Sequence, residues 1–279
     1  MLSPGKVLIN GVEECRVDVT DRGFQYGDGV FTTLPVVQSS PICLDQHVQR
    51  LRHNAGRLGI TSPEHALILD EVTRIAEANG DGVIKIMLTR GRGGRGYGWA
   101  GPCQPTRVIS WHPAPAYPGE LRIKGVLARV CTNRLGINPA LAGIKHMNRL
   151  EQIIARAEWT DEAIREGLML DQDGFVVEGV MSNLFAVKDG RLMTPLLDRC
   201  GVAGLMRARI IRLARSLDLQ TVELRMEPDQ VFSADELILS NCIIRLWPIR
   251  QLEEKHFNIG PISRSLMKMI DQEEEQCLV

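Results

Sequence analysis

Lys145 stands where a Gly/Pro-punctuated stretch, Leu135-Gly136-Ile137-Asn138-Pro139-Ala140-Leu141-Ala142-Gly143-Ile144, gives way to the helix-favouring Met147-Asn148-Arg149-Leu150-Glu151-Gln152. A lysine amine that loses its proton near neutral pH attacks carbonyls and removes protons from carbon. Partial desolvation or a neighbouring cation lowers its pKa enough for both. Lys145 is therefore the candidate catalytic residue, with a solvated surface charge as the plain alternative. Glu178 falls in the alternating stretch Phe175 to Val180 among apolar neighbours, and a carboxylate buried there requires a partner. Its plain alternative is an edge-strand glutamate in water. Arg50 lies between Val48 and Leu51 on an amphipathic segment, where the bare sequence reads as a solvated helix arginine. Arg92 and Arg95 sit in Arg90-Gly91-Arg92-Gly93-Gly94-Arg95-Gly96-Tyr97-Gly98, a loop because no regular element tolerates that many glycines.

The elements that must position these residues follow from periodicity. Val7 to Val19 alternates around Asn10-Gly11, which predicts an opening pair of antiparallel strands. Leu44, Val48, Leu51, Ala55 and Leu58 fall at helical spacing, with Asp45 placed to cap and Gly59 to stop the helix. A second helix is expected from Glu64 to Asn79, then strands Val83 to Leu88 and Val108 to Trp111. The segment from His112 to Gly119 carries three prolines and reads as a stiff connector. Beyond it we expect a strand from Leu121 to Val130 and a helix from about Met147 to Glu166. Strands Leu168 to Leu170, Phe175 to Val180 and Asn183 to Val187 follow, then a helix Leu205 to Leu217 and strands near Thr221 and Glu236. The expected organisation is residues 1–113 as an N-terminal domain, 114–119 as linker and 120–279 as a second, α+β domain.

Composition bounds the partners. A formal net charge of -1 supplies no basic field for nucleic acid. Gly91, Gly93 and Gly96 almost fit a dinucleotide fingerprint, but no helix with a later ribose-binding acid follows them. A small-molecule substrate is expected, with no nucleic acid and no membrane, since no apolar run reaches the length of a span. The seven cysteines show neither zinc spacing nor a disulfide framework. They read as reduced, mostly buried thiols of a cytoplasmic protein, with no metal site. The acidic run Glu273-Glu274-Glu275 reads as a frayed helix end.

Five stretches carry a resemblance across nearly the whole chain: Asp21 to Thr33, His47 to Leu51, the Lys145 loop, Glu178 to Phe185, and Gly201 to Arg207. In this order they resemble the fold-type IV pyridoxal-phosphate enzymes, the group of branched-chain and D-amino-acid aminotransferases and aminodeoxychorismate lyases. The resemblance implies a two-domain α+β fold, D-amino-acid aminotransferase-like. A small N-terminal α/β domain would precede a larger C-terminal α/β barrel-like one. It implies pyridoxal 5'-phosphate as cofactor, with Lys145 as its covalent attachment point and later proton-transfer base. Glu178 would pair with the pyridine nitrogen, and Arg50 would bind the phosphate through a planar guanidinium. Asn183, the backbone of Val202 and Ala203 before a helix, and Asn241 and Cys242 complete the implied cofactor set.

The substrate loops are similar to the lyase branch, above all Leu141 to Gln152, Gly93-Gly94-Arg95-Gly96-Tyr97 and Trp247-Pro248-Ile249-Arg250. That branch converts 4-amino-4-deoxychorismate to 4-aminobenzoate and pyruvate for folate synthesis, an elimination driven by aromatisation of the ring. By resemblance Arg95, with Arg92 as second choice, clamps a substrate carboxylate. Thr33 or Thr32 hydrogen-bonds near the leaving group, each with a structural strand role as alternative. Phe31, where D-amino-acid aminotransferases tend to carry tyrosine, lines the substrate. Pro35 and Arg245 depart from the family pattern. Transamination of D- or branched-chain amino acids is the second activity the family allows, and related enzymes are homodimers.

Overall fold

The computed structural model describes residues 5–99 and 103–276, and the chain divides into two compact units. One is Met1–Pro115 with Lys145–Asn148 and Glu274–Val279; the other is Ala116–Ile144 with Arg149–Glu273.

The first unit opens with β1 (Val7–Ile9) and β2 (Val12–Glu13), paired antiparallel. Asn10 and Gly11 between them take φ of 51° and 87°, the two positive values a tight hairpin of matching twist demands. The strand predicted to reach Val19 stops at Glu13. The Glu14 carboxylate takes the Cys15 and Arg16 N–H groups, so the backbone leaves the ladder. Next come α1 (Arg22–Tyr26), β3 (Gly29–Val37), β4 (Ser40–Pro41), α2 (Leu44–Arg57), α3 (His65–Asn79), β5 (Gly82–Thr89) and β6 (Thr106–His112). Among the described residues the sheet order is β2-β1-β6-β5-β3-β4. Along β3, Val30, Thr32, Leu34 and Val36 are buried while Phe31, Thr33 and Pro35 are half-buried, the period-2 signature of a strand with two unlike faces. Helix α2 packs on β3 and on α3, burying Val48, Leu51 and Ala55. Asp45 does not cap it. The N-cap is Cys43 with no side-chain bond, and the Asp45 carboxylate is taken by Gln49 Nε2 and His65 Nε2 instead.

The second unit contains α4 (Glu120–Lys124), β7 (Val126–Leu135), α5 (Leu150–Arg156), β8 (Ile164–Asp171), β9 (Val176–Gly179), β10 (Asn183–Lys188), β11 (Arg191–Pro195) and α6 (Leu205–Ser216). These are followed by β12 (Thr221–Leu224), α7 (Pro228–Phe232), β13 (Glu236–Asn241), β14 (Arg245–Leu252), β15 (Lys255–His256) and α8 (Pro261–Gln276). Among the described residues the sheet is nine-stranded and mixed, with β7 parallel to both β8 and β14. Alternate residues of β10 feed two cores. Phe185 and Val187 join Ile210, Leu213, Leu266 and Ile270 beneath α6 and α8, whereas Leu184 and Ala186 join Leu168, Leu237 and Trp247 on the other face. A sheet covered on both faces reads as an apolar run, which is why β10 shows little alternation.

Two expected elements are corrected here. Leu121 lies in α4, not in a strand; Gly125 at φ 72° ends that helix and lets β7 begin. The helix predicted to run to Glu166 covers only Leu150–Arg156, because the Trp159 indole is buried and donates to Ile164 O at 3.1 Å, folding the chain back into β8. The thiols also depart from expectation. Only Cys131 and Cys200 of the described cysteines are buried, and Cys277 lies outside the described residues. Glu273 is not frayed, since Arg209 and Arg212 hold its carboxylate. No helix among the described residues is long and apolar enough to cross a membrane.

Candidate active site

In the first unit, β3 and α2 bring Phe31, Thr32, His47 and Arg50 to the Lys145–Asn148 segment. That segment runs beside β3 like a short extra strand: Phe31 N donates to Lys145 O at 3.0 Å, Met147 N donates to Gly29 O at 2.9 Å, and Val30 bridges to His146. A Cβ on Gly29 would stand 2.7 Å from the Met147 sulfur and 2.8 Å from Leu88 O, so only glycine permits the approach. Lys145 is half-buried, with Nζ 4.5 Å from the Phe31 ring centroid.

Arg50 Nη2 donates to Thr32 Oγ1 at 2.7 Å, and that oxygen lies 2.6 Å from His47 Nδ1. A guanidinium has only donors, so Thr32 Oγ1 accepts from Arg50, and with a second lone pair and its own proton it pairs with His47 in either tautomer. Burial holds the His47 pKa well below its usual value, and the charges of Arg50 and Lys145 lower it further. Thr33 points to the opposite face of β3 from Thr32 and shares that face with Phe31. Opposite Thr33 in register is Lys85, whose Nζ is 5.1 Å from the Phe31 centroid and whose pKa is lowered by burial. Sequence reasoning passed over Lys85. Its signal was a lone cation in the apolar strand Val83 to Leu88. Arg92 and Arg95 are exposed on the glycine loop, and Arg92 pairs with Asp18 at 3.2 Å.

The second unit gathers another set. Glu178, on β9, is buried, and Val202 N donates to its Oε2 at 2.8 Å. Asn183 Nδ2 donates to Val202 O at 2.8 Å and reaches the same carboxylate at 3.4 Å. Ala203 N donates to Gly143 O, and Gly143 N to Gly201 O, so the loop preceding Lys145 is laced to the loop preceding α6. Added side chains would break this lacing: a Cβ on Gly204 would lie 2.1 Å from Asn183 Oδ1, and Gly201 has a φ of 83°. The Val202 and Ala203 N–H groups are thus engaged with Glu178 and Gly143, while Gly204, the N-cap of α6, supplies no side-chain cap.

Asn241 organises a turn, its Oδ1 accepting from Ile243 N and Ile244 N and its Nδ2 donating to Met181 O. Cys242 packs against the core under α6 and α8. Two further residues escaped the sequence. Arg149 is lowered in pKa by burial, against the carboxylates of Glu178 and Glu151 that raise it. Glu166 is buried and accepts from Ser182 Oγ, Met181 N and Gly167 N; burial pushes its carboxyl up to about 7 against those bonds.

Comparison with known proteins places this arrangement. The Amino-transferase class IV family model matches residues 29–252. An aminodeoxychorismate lyase of Vibrio harveyi is 34% identical over 262 residues, 92% of this chain and 97% of its own length. A putative branched-chain-amino-acid aminotransferase of Methanocaldococcus jannaschii is 29% identical over 271 residues, 94% of this chain and 93% of its own. The crystal structure of 4-amino-4-deoxychorismate lyase from Pseudomonas aeruginosa superposes with a TM-score of 0.92 at 41% identity, covering 95% of this chain and 98% of that one. The chain belongs to the class IV aminotransferases, a family of pyridoxal-phosphate enzymes.

Proposed function

We propose that this chain is an aminodeoxychorismate lyase, releasing 4-aminobenzoate and pyruvate from 4-amino-4-deoxychorismate. The observation that carries the reading is that the higher identities among the relatives above fall to lyases, in a chain that carries Lys145, Glu178 and Arg50. The donor set fits the cofactor: a half-buried amine for its aldehyde, a guanidinium for its phosphate, and a buried carboxylate for its pyridine nitrogen. Bound pyridoxal phosphate supplies a carbonyl that condenses with amines and a ring that accepts the electron pair of a broken C–H bond.

Lys145 would hold the cofactor, and its Nζ would remove the proton from the amine-bearing ring carbon of the substrate. Glu178, fixed by Val202 N–H and Asn183, keeps a proton at the pyridine nitrogen. Arg50 binds phosphate, its guanidinium oriented by Thr32 and His47. Because the Val202 and Ala203 N–H groups are engaged, the loop's share of phosphate binding passes to the first-turn N–H groups of α6, with Asn183, Asn241 and Cys242 shaping the walls. Thr33, on the Phe31 face of β3, hydrogen-bonds the departing enolpyruvyl oxygen. Thr32 is committed to Arg50 and His47. Phe31 lies against the substrate ring, and Arg95, or Arg92, takes a substrate carboxylate.

The same reading makes the protein a cytoplasmic homodimer. Leu150, Ile153 and Ile154 of α5 are 71%, 62% and 55% exposed, an apolar helix face suited to a second copy; a monomer in sedimentation under assay conditions would count against it. The lyase is tested by pyruvate release from freshly generated aminodeoxychorismate, with Lys145→Ala as control. Pyruvate and 4-aminobenzoate formation lost in the variant supports it. A cofactor-loaded protein that releases no pyruvate but transaminates D- or branched-chain amino acids replaces it.

A further inference from the structure

The loop bearing Arg92 and Arg95 has five glycines from Gly91 through Gly98 and little of its own to hold a shape, since glycine loses the most backbone freedom on ordering. An arginine from elsewhere holds it. Arg22 of α1, 74 residues from Gly96 in sequence, donates from Nη1 to Gly96 O at 3.1 Å, and from Nη2 to Tyr97 O at 2.9 Å. Its Nε donates to Asp28 Oδ2 at 2.9 Å, and the guanidinium carbon lies 5.0 Å from the Tyr26 ring centroid. Asp28 is held in turn by Arg90, which donates to both its oxygens and to Leu58 O and Gly59 O. Burial raises the Asp28 carboxyl pKa, but the bonds from Arg90 and Arg22 bring it below its usual value. The loop is shaped to receive this clamp. A Cβ on Gly93 would stand 2.6 Å from Arg22 Cδ, so the Arg22 side chain crosses the backbone where residue 93 has none. Arg22 is 3% exposed, which makes it a built-in strut, unlike a surface cation.

We propose that Arg22, braced by Asp28, is a positioning residue for substrate recognition: it freezes the glycine loop so that Arg95 meets a substrate carboxylate from a fixed place. The substrate half of this rests on the reading of Arg95 as the carboxylate ligand. A pre-ordered loop spares the entropy of ordering on binding, so loosening it weakens binding more than chemistry.

The test compares holoenzyme with Arg22→Lys, which keeps the charge but loses the fork, and with Gly93→Ala, which displaces the Arg22 side chain and leaves Asp28 and Arg90 intact. Two readouts are taken: trypsin cleavage after Arg92 and Arg95, followed by mass spectrometry, and KM against kcat with aminodeoxychorismate. Both variants should be cut about tenfold faster there, with KM raised about tenfold and kcat changed by less than about twofold. Unchanged cleavage in both variants overturns the clamp. Faster cleavage with unchanged KM overturns the substrate role of the loop, and Arg95→Ala then separates the causes: an unchanged KM there shows that the Arg95 reading failed first. A fall in kcat at constant KM also overturns the positioning role.

Discussion

Thr32 Oγ1 and His47 Nδ1 lie 2.6 Å apart in the buried space between β3 and α2, and Arg50 Nη2 donates to the same oxygen at 2.7 Å. Burial, with the charges of Arg50 and Lys145 beside it, disfavours a proton charge on His47.

His47 should therefore stay neutral as pH falls through its ordinary 6.5. Histidine nitrogen NMR shifts check this. The sign for stability follows: an unfolded His47 binds a proton below 6.5 and the folded one does not, so its contribution is present above that pH and is lost as pH falls toward the lowered folded value. Thr32→Val removes the relay and should weaken cofactor affinity about tenfold through Arg50, since one lost hydrogen bond is worth about 1.4 kcal/mol. Equilibrium dialysis with pyridoxal phosphate measures it; unchanged affinity would sink the relay.

Glu178→Gln should bind cofactor and fold, because an amide oxygen still accepts from Val202 N. It should lose on the order of a hundredfold or more in kcat, since a neutral amide cannot hold a proton on the pyridine nitrogen. Steady-state pyruvate release reports the loss, and a loss below about threefold would contradict the assignment.

Glu166 ties the turn Val180–Ser182, between the strands of Glu178 and Asn183, to β8. Its folded pKa of about 7 exceeds the ordinary 4.5, so its stabilising contribution is full below 4.5 and is lost as pH rises through about 7, by an amount on the order of 3 kcal/mol. Urea unfolding at about pH 5 and about pH 8 should show this decline in the wild type and a flatter response in Glu166→Gln. Parallel profiles would refute it.

Glu71 and Arg107 form a buried two-pronged ion pair joining α3 to β6. Glu71→Ala leaves an uncompensated buried cation and should cost about 3–5 kcal/mol of stability. Arg107→Met with Glu71→Leu should recover most of it, measured by thermal unfolding.

Much of this was legible along the chain. The Asn10-Gly11 hairpin, α2 with its Gly59 stop, and α6 all follow from turn chemistry and periodicity, because each depends on residues within a few positions of one another. Lys145, Glu178 and Arg50 were legible as a set through the order of their surrounding stretches. The boundaries that failed did so where a distant group intervened: the Trp159 indole bonding Ile164 O ends the helix after α5, and His65 and Gln49 take the Asp45 carboxylate from its capping position.

The sequence by itself determined which side chains are candidates for the chemistry and most of the local elements that bear them, since residue type and spacing act over one or two turns. Tertiary structure alone decided how those groups are used. It commits Thr32 to His47 and Arg50 and leaves Thr33 on the Phe31 face. It spends the Val202 N–H on Glu178, sets Glu166 near neutrality, and hands a glycine loop to an arginine 74 residues away. Hydrogen bonds and burial join residues that no periodicity relates, so these assignments exist only once the chain is folded.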